Sequence, residues 1–313
     1  MPINTLIVGL GKIGMLYDIK KKVYLTHSKC IQKNKNFNLV GGIDPSLKNS
    51  KIFIKKFKKP VWREIRKYDQ KKKIDFVIVS TLPVKRYQII KDIIKYIKPQ
   101  RILIEKPVSY NLNTLNSIIK ISKKNDIKIF INYPRISSNL IKYLGNKIEK
   151  IKNNSFKKII ITVPNPIKTN IFHYIQLLFY LLKKNNYKSS YLFKPIKRLI
   201  KKNFVYLHYN NFEIFFIFET NLNYRSGNFD LFFDREQISF ERSVTKLITK
   251  KFKYKNSFFS DQKAEIIKKF QTANNQNIVY ENIFKSIKKK NATLVDILDE
   301  KIILKFYIEN ICN

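Results

Sequence analysis

Residues 5–14 read Thr-Leu-Ile-Val-Gly-Leu-Gly-Lys-Ile-Gly, a short apolar run that ends in glycines at 9, 11 and 14. A strand running into Gly-x-Gly-x-x-Gly, and followed by residues able to start a helix, is the context in which that spacing has physical meaning. Gly9 allows the tight turn, Gly11 lets the backbone approach a pyrophosphate, and Gly14 lets the next helix pack closely on the strand. The phosphates would lie over a helix N-terminus, where free N–H groups and the positive end of the dipole favour an anion. Lys12 and Ile13 stand inside the same turn and are expected to line it. Alone, the pattern is also compatible with an ordinary turn; its weight comes from scarcity, since three of the chain's seven glycines stand here.

A chain of 313 residues exceeds the size at which single cores usually split, so two domains are expected. The apolar share of 44%, with 24 Phe and 18 Tyr, excludes a disordered chain. A formal charge of +41 has two readings. One is the electrostatic footprint of a nucleic-acid binder. The other is a genome rich in A and T: the sequence is crowded with Lys, Ile and Asn, holds 54 Lys against 9 Arg, and has only three Ala. The lysines are spread over distant polar stretches, among them 20–22, 71–73 and 288–290, as on a solvated face. The second reading is favoured, and no specific nucleic-acid partner is expected. Cys30 and Cys312 form neither a disulfide framework nor a metal motif, and three histidines without clustered carboxylates give no metal site. The first strand begins near Ile3, leaving no room for a signal peptide, and the most apolar helix, 171–182, is too short to span a bilayer. The expectation is a cytoplasmic protein with no membrane partner.

Along the chain, 15–26 is basic and irregular, with helix resuming over 28–33. An apolar strand over 37–43 ends in Asp44, where an acidic side chain accepts hydrogen bonds from the adenosine ribose and repels a 2′-phosphate; no Arg follows closely, which favours NAD over NADP. Strands over 75–80, 101–105 and 128–132 alternate with helices over 85–97 and 113–124, the pattern of a parallel sheet. After Pro134 the pattern changes: a linking helix over 138–152, a strand over 158–163, and the apolar helix 171–182. Period-two runs follow at 204–209, 212–219, 228–233, 237–242 and 244–254, an antiparallel sheet. Helices over 261–289 and 294–311 close the chain. The reading is an α/β protein: residues 1–133 form a doubly wound dinucleotide-binding domain, and 134–313 a substrate-binding and oligomerisation domain on an open, mostly antiparallel sheet.

Glu105-Lys106-Pro107 stands at the carboxyl end of a parallel strand, the edge where doubly wound sheets place ligands. Lys106 there can reach both a nicotinamide and a sugar hydroxyl, although an exposed lysine before a loop proline is the plain alternative.

The conjunction of these stretches resembles the Gfo/Idh/MocA family of NAD(P)-dependent oxidoreductases over nearly the whole chain. The matching segments are Gly9-Leu10-Gly11-Lys12-Ile13-Gly14, Val40-Gly41-Gly42-Ile43-Asp44, 76–83 with Ser80 and Thr81, Ile104-Glu105-Lys106-Pro107, and Ile131-Asn132-Tyr133-Pro134-Arg135; 171–178 matches more weakly. The resemblance implies a Rossmann domain followed by an α/β domain whose open sheet often mediates oligomerisation. It also implies a sugar, nucleotide-sugar or polyol substrate. It places Gly9, Gly11, Lys12, Ile13, Gly14, Asp44, Ser80, Thr81, Glu105 and Asn132 at the cofactor. Lys106, Tyr133, Arg135, Thr169, His173 and Gln176 would face the substrate, with Lys106 and His173 catalytic.

His173 also has a case of its own: near a helix N-terminus imidazolium is disfavoured, which leaves a ring able to accept a hydroxyl proton. A hydrogen-bonded core histidine is the alternative. Family members usually carry aspartates four residues before this histidine and often three after it; here Thr169 and Gln176 stand there. Tyr87 stands where the family often has a histidine, and the histidine common after the glycine turn is displaced to His27. His27 could line the cofactor cleft, though a capping or packing role is favoured for it, and His208 reads as structural. A rival reading is therefore a catalytically impaired Rossmann protein that binds nucleotide as a regulatory subunit.

Overall fold

The structure, a computed structural model, describes residues 1–69, 72–151, 156–220, 227–241, 245–256, 259–270 and 275–312. Parts of the expected elements at 152, 242, 244 and 271–274 lie outside the described residues. In chain order the first elements are β1 (Ile3–Val8), α1 (His27–Lys33), β2 (Phe37–Ile43), α2 (Leu47–Phe57), β3 (Val61–Trp62), β4 (Phe76–Val79), α3 (Arg86–Tyr96), β5 (Arg101–Glu105), α4 (Leu112–Lys124) and β6 (Lys128–Asn132). Then come α5 (Asn139–Glu149), β7 (Lys158–Pro164), α6 (Ile167–Lys184), β8 (Lys197–Lys201), β9 (Phe204–His208), β10 (Glu213–Glu219), β11 (Phe229–Phe232), β12 (Glu236–Glu241), β13 (Lys246–Asn256) and β14 (Phe259–Lys269). The last are α7 (Asn275–Ile287), β15 (Val295–Asp296) and α8 (Ile297–Asn310). Ser46, Asn111 and Ser138 cap α2, α4 and α5 by accepting the amides of Asn49, Thr114 and Ile141.

Two compact units result, one of Met1–Ser137 with Ala273–Leu304, the other of Ser138–Thr272 with Lys305–Asn313. The stretch 273–304, assigned by sequence to the C-terminal domain, thus groups with the N-terminal strands. In the first unit the strand order is β15-β6-β5-β4-β1-β2-β3; β15 pairs antiparallel with β6 and every other neighbour is parallel. This is the doubly wound arrangement, with its order reversing between β1 and β4, where ligands bind beyond the carboxyl ends. Helix α7 completes the core: Tyr280 is fully buried and meets Phe37 edge-on at 5.5 Å.

The second unit carries an eight-stranded sheet, β14-β13-β12-β11-β7-β10-β9-β8, in which, among the described residues, only β7 and β10 pair in parallel. Its strands alternate buried and half-buried residues, the signature of one covered face, and α6 packs on β7 with α5 beside it.

Three expectations change. The expected helix at 261–289 begins as β14, because 259–269 pairs along almost all of β13; long-range pairing overrides the helix propensity of its Ala, Glu and Lys. Strand β8 was not expected, its Lys-Arg-Leu-Ile-Lys being the charged composition of a protected edge. Helix α6 starts at Ile167, so His173 lies in its second turn, beyond the first-turn reach of the helix dipole invoked for it.

Candidate active site

The register of β1 with β4, Val8 beside Val79, sets the glycine turn next to Ser80 and Thr81. Gly9 has φ +96°, a left-handed conformation that favours glycine, and the Ser80 hydroxyl donates to its carbonyl at 2.6 Å. At Gly14 a Cβ would stand 2.1 Å from the Gly9 carbonyl oxygen, so position 14 excludes any side chain. A Cβ on Gly11 would meet nothing within 4 Å. That open space in front of a bare backbone fits an approaching pyrophosphate. The Thr81 hydroxyl, buried and without a hydrogen bond among the described residues, adds a polar atom at the same edge. Lys12 is exposed and Ile13 half-buried in the turn.

The helix expected to follow directly is interrupted. A continuous helix would bond residues 17 and 18 to the carbonyls of 13 and 14; His27 and Ser28 make those bonds, at 3.1 and 3.0 Å. Residues between form a built excursion, not a frayed one. The buried Asp18 carboxylate accepts the amides of Leu25 (2.6 Å) and Thr26 (3.0 Å) and the Thr26 hydroxyl (2.7 Å). The Lys29 ammonium donates to the carbonyls of Asp18 and Lys21.

Asp44 is 6% exposed and already engaged: Oδ2 accepts the Leu10 amide at 2.6 Å and Oδ1 the Ser46 amide at 2.8 Å. It ties the glycine turn to the end of β2, and Asn49 Nδ2 lies 3.4 and 3.5 Å from its two oxygens. Arg63 donates to the Pro45 carbonyl at 3.2 Å, bringing a guanidinium to this end of β2 from 18 positions downstream.

At the end of β5 a polar cluster converges. Glu105 Oε1 receives Asn132 Nδ2 at 2.5 Å and lies 2.9 Å from His27 Nε2; His27 Nδ1 lies 2.6 Å from the Tyr280 hydroxyl. With Glu105 ionised, the satisfied arrangement has Nε2–H donating to Oε1 and Nδ1 accepting from Tyr280. Asn132 and Gln276 exchange amide hydrogen bonds at 3.0 and 3.2 Å. Burial alone would raise the Glu105 carboxyl, but the bonds from His27 and Asn132 and the nearby Lys106 outweigh it and hold it below the usual carboxylate range. His27, for which capping or packing was favoured over a place at the cofactor cleft, is thus joined to the Glu-Lys-Pro turn.

Arg86, at the start of α3 and 3% exposed, donates to the carbonyls of Thr81, Glu105 and Pro107. Burial pushes its guanidinium down to about 10. Sequence reasoning passed over it; the available signal was that a chain this rich in Lys keeps Arg where a planar fork is needed. Lys106 is half-buried, and burial pushes its ammonium down to about 8, partly offset by Glu105. Tyr133 is 1% exposed and donates to Glu300 Oε2 at 2.7 Å, and Arg135 is half-buried beyond the end of β6.

In the second unit, α6 carries Thr169, His173 and Gln176. Thr169 is exposed and donates to the Pro166 carbonyl at 3.1 Å, His173 is half-buried, and Gln176 is 4% exposed. The spacings of four and three place all three on one side of the helix.

Residues 3–133 match the model of Gfo/Idh/MocA, described as an oxidoreductase family with an NAD-binding Rossmann fold. Among solved structures, the chain is similar to the super-repressor mutant of Gal80p from Saccharomyces cerevisiae, at 15% identity over 99% of this chain and 96% of that one, TM-score 0.76. It is similar also to the dehydrogenase MviM from Clostridium difficile, at 14% identity over 98% and 99%, TM-score 0.72. A third is an oxidoreductase from Agrobacterium radiobacter in complex with NAD+, L-tartaric acid and magnesium, at 11% identity over 98% and 94%, TM-score 0.73. At such identities the likeness is one of fold. No curated protein matches the chain in sequence.

Proposed function

We propose, from the match of residues 3–133 to the model of the Gfo/Idh/MocA oxidoreductase family, an NAD-dependent enzyme that oxidises a carbinol, or reduces the corresponding carbonyl, of a sugar, nucleotide-sugar or polyol. The observation that carries the reading is a half-buried Lys106, its ammonium near 8, on the same sheet edge as a glycine turn with open space at Gly11. The nicotinamide supplies the two-electron acceptor or donor when bound. The turn at 9–14, with Ser80 and Thr81, holds the pyrophosphate, and Asp44 takes the adenosine ribose and repels a 2′-phosphate. Lys106 donates a hydrogen bond to the reacting oxygen and stabilises negative charge on it. His173 accepts the hydroxyl proton in oxidation and returns it in reduction. Glu105 and Asn132 are assigned to the cofactor, and Tyr133, Arg135, Thr169 and Gln176 to the substrate. The protein works in the cytoplasm as a homo-oligomer joined through the open face of the second unit's sheet.

The test is Lys106→Ala assayed beside wild type for NADH binding by fluorescence and for turnover on a panel of aldoses, inositols and nucleotide-sugars. The expected result is retained binding and lost turnover; unchanged turnover would remove Lys106 from the mechanism. Thr169 and Gln176, in place of carboxylates, favour a second reading, a subunit that binds nucleotide without chemistry. It predicts NADH binding with no turnover by wild type on any member of the panel.

A further inference from the structure

Behind the Lys106 turn lies a carboxylate to which hydride transfer gives no role. Glu300, in the first turn of α8, is fully buried and uses both oxygens: Oε1 accepts the Val108 amide at 2.9 Å and Oε2 the Tyr133 hydroxyl at 2.7 Å. Arg86 holds the same turn by the carbonyls of Glu105 and Pro107. Arg86 thus holds the Glu105–Lys106 peptide by its carbonyl, and the Pro107–Val108 peptide is held at its carbonyl by Arg86 and at its amide by Glu300. A buried carboxylate is expensive to keep, and its partners here could be replaced by apolar packing if only stability were served.

We propose that Glu300 is a positioning residue for Lys106: it binds the Val108 amide and the Tyr133 hydroxyl together, fixes the turn that presents the lysine, and sets a negative charge behind the ammonium. The inference rests on the reading of Lys106 given above. The charged and titratable groups around the pair are Arg86 from α3, Glu105 from β5, Tyr133 and Arg135 from the end of β6, and Tyr110, which acts on Arg86. Burial pushes Glu300 up to about 7, against the pull of Tyr133, Val108, Arg86 and Lys106. Its charge is thus present on the alkaline side of neutrality, where Lys106 itself begins to lose its proton.

The test needs no substrate. Trace acetylation of the full-length protein, quantified lysine by lysine by mass spectrometry from neutral to alkaline pH, reads the titration of Lys106 directly. Amide hydrogen exchange reads the Val108 bond. In Glu300→Gln the Lys106 midpoint should fall, with labelling just above neutrality rising about threefold or more, while exposed Lys124 and Lys290 stay unchanged. Val108 exchange should rise, and Glu300→Asp should restore the midpoint in part. Tyr133→Phe removes one of the bonds that favour the ionised Glu300, so it should speed Val108 exchange and lower the Lys106 midpoint, by less than Glu300→Gln does. An unaltered Lys106 midpoint and unaltered Val108 exchange in a folded Glu300→Gln would overturn the proposal. If that variant does not fold, unaltered Val108 exchange in Tyr133→Phe overturns it. A responsive Lys106 in a protein with no turnover supports the positioning role and sinks the hydride-transfer reading instead.

Discussion

A Cβ at position 14 would overlap the Gly9 carbonyl oxygen, at 2.1 Å, whereas one at position 11 meets nothing within 4 Å. The two substitutions should therefore fail differently. Gly14→Ala should cost about 1–3 kcal/mol of stability through forced backbone movement, read as a lower melting temperature. Gly11→Ala should melt like wild type and bind NADH more weakly; wild-type affinity would mean that nothing approaches the backbone there. At Asp44, Arg63→Ala should leave NADH affinity intact and weaken any residual NADPH binding, since Arg63 is the guanidinium held at Pro45. Glu300 makes a pH prediction. Its folded value, about 7, lies above the ordinary 4.5, so the folded state holds the proton more tightly. That stabilisation is complete below the ordinary value and is lost as pH rises through the folded one. The melting temperature of wild type relative to Glu300→Gln should accordingly fall across that window, and a flat difference would contradict the buried, titrating carboxylate.

Among the elements, α3 matters through its first residue. Arg86 closes the carbonyls of Thr81, Glu105 and Pro107, so Arg86→Met leaves buried acceptors without donors. A loss of about 2–4 kcal/mol is expected in chemical denaturation; Arg86→Lys should recover only part, because one ammonium cannot span all three. The excursion before α1 is closed by Asp18. Asp18→Ala should raise tryptic cleavage at Lys20 to Lys22 on the order of tenfold, with α1 and the sheet unchanged by circular dichroism. Strands β1, β2, β5 and β6 were legible as apolar runs bounded by turn residues, because burial on both faces writes itself as local composition. Strand β14 was not, since its state is set by its pairing with β13.

For the molecule as a whole, a charge of +41 invites a nucleic-acid reading. Lysines dispersed over polar faces should give weak DNA binding that disappears in moderate salt; tight binding that persists would revive that partner. Among the described residues no helix is long and apolar enough to cross a membrane. The open sheet face carries Ile217 at 40% exposure on β10. If that face joins copies of the chain, Ile217→Asp should shift the sedimenting species to monomer.

The glycine turn, the acidic end of β2 and the Glu-Lys-Pro turn were readable because each is written within a few consecutive residues. A left-handed φ, a close backbone approach or a strand end leaves a local mark. The surroundings of Lys106 were not readable. Tyr280 reaches His27 across 253 positions, Glu300 reaches Val108 across 192, and Gln276 reaches Asn132 across 144. No local preference selects such partners. Buried polar groups are paired by whatever packing brings within reach, and here α7 and the start of α8 group with the N-terminal sheet. The sequence by itself determined where the glycine turn, the acidic end of β2 and the Glu-Lys-Pro turn stand; the tertiary structure decided which buried groups stand behind Lys106.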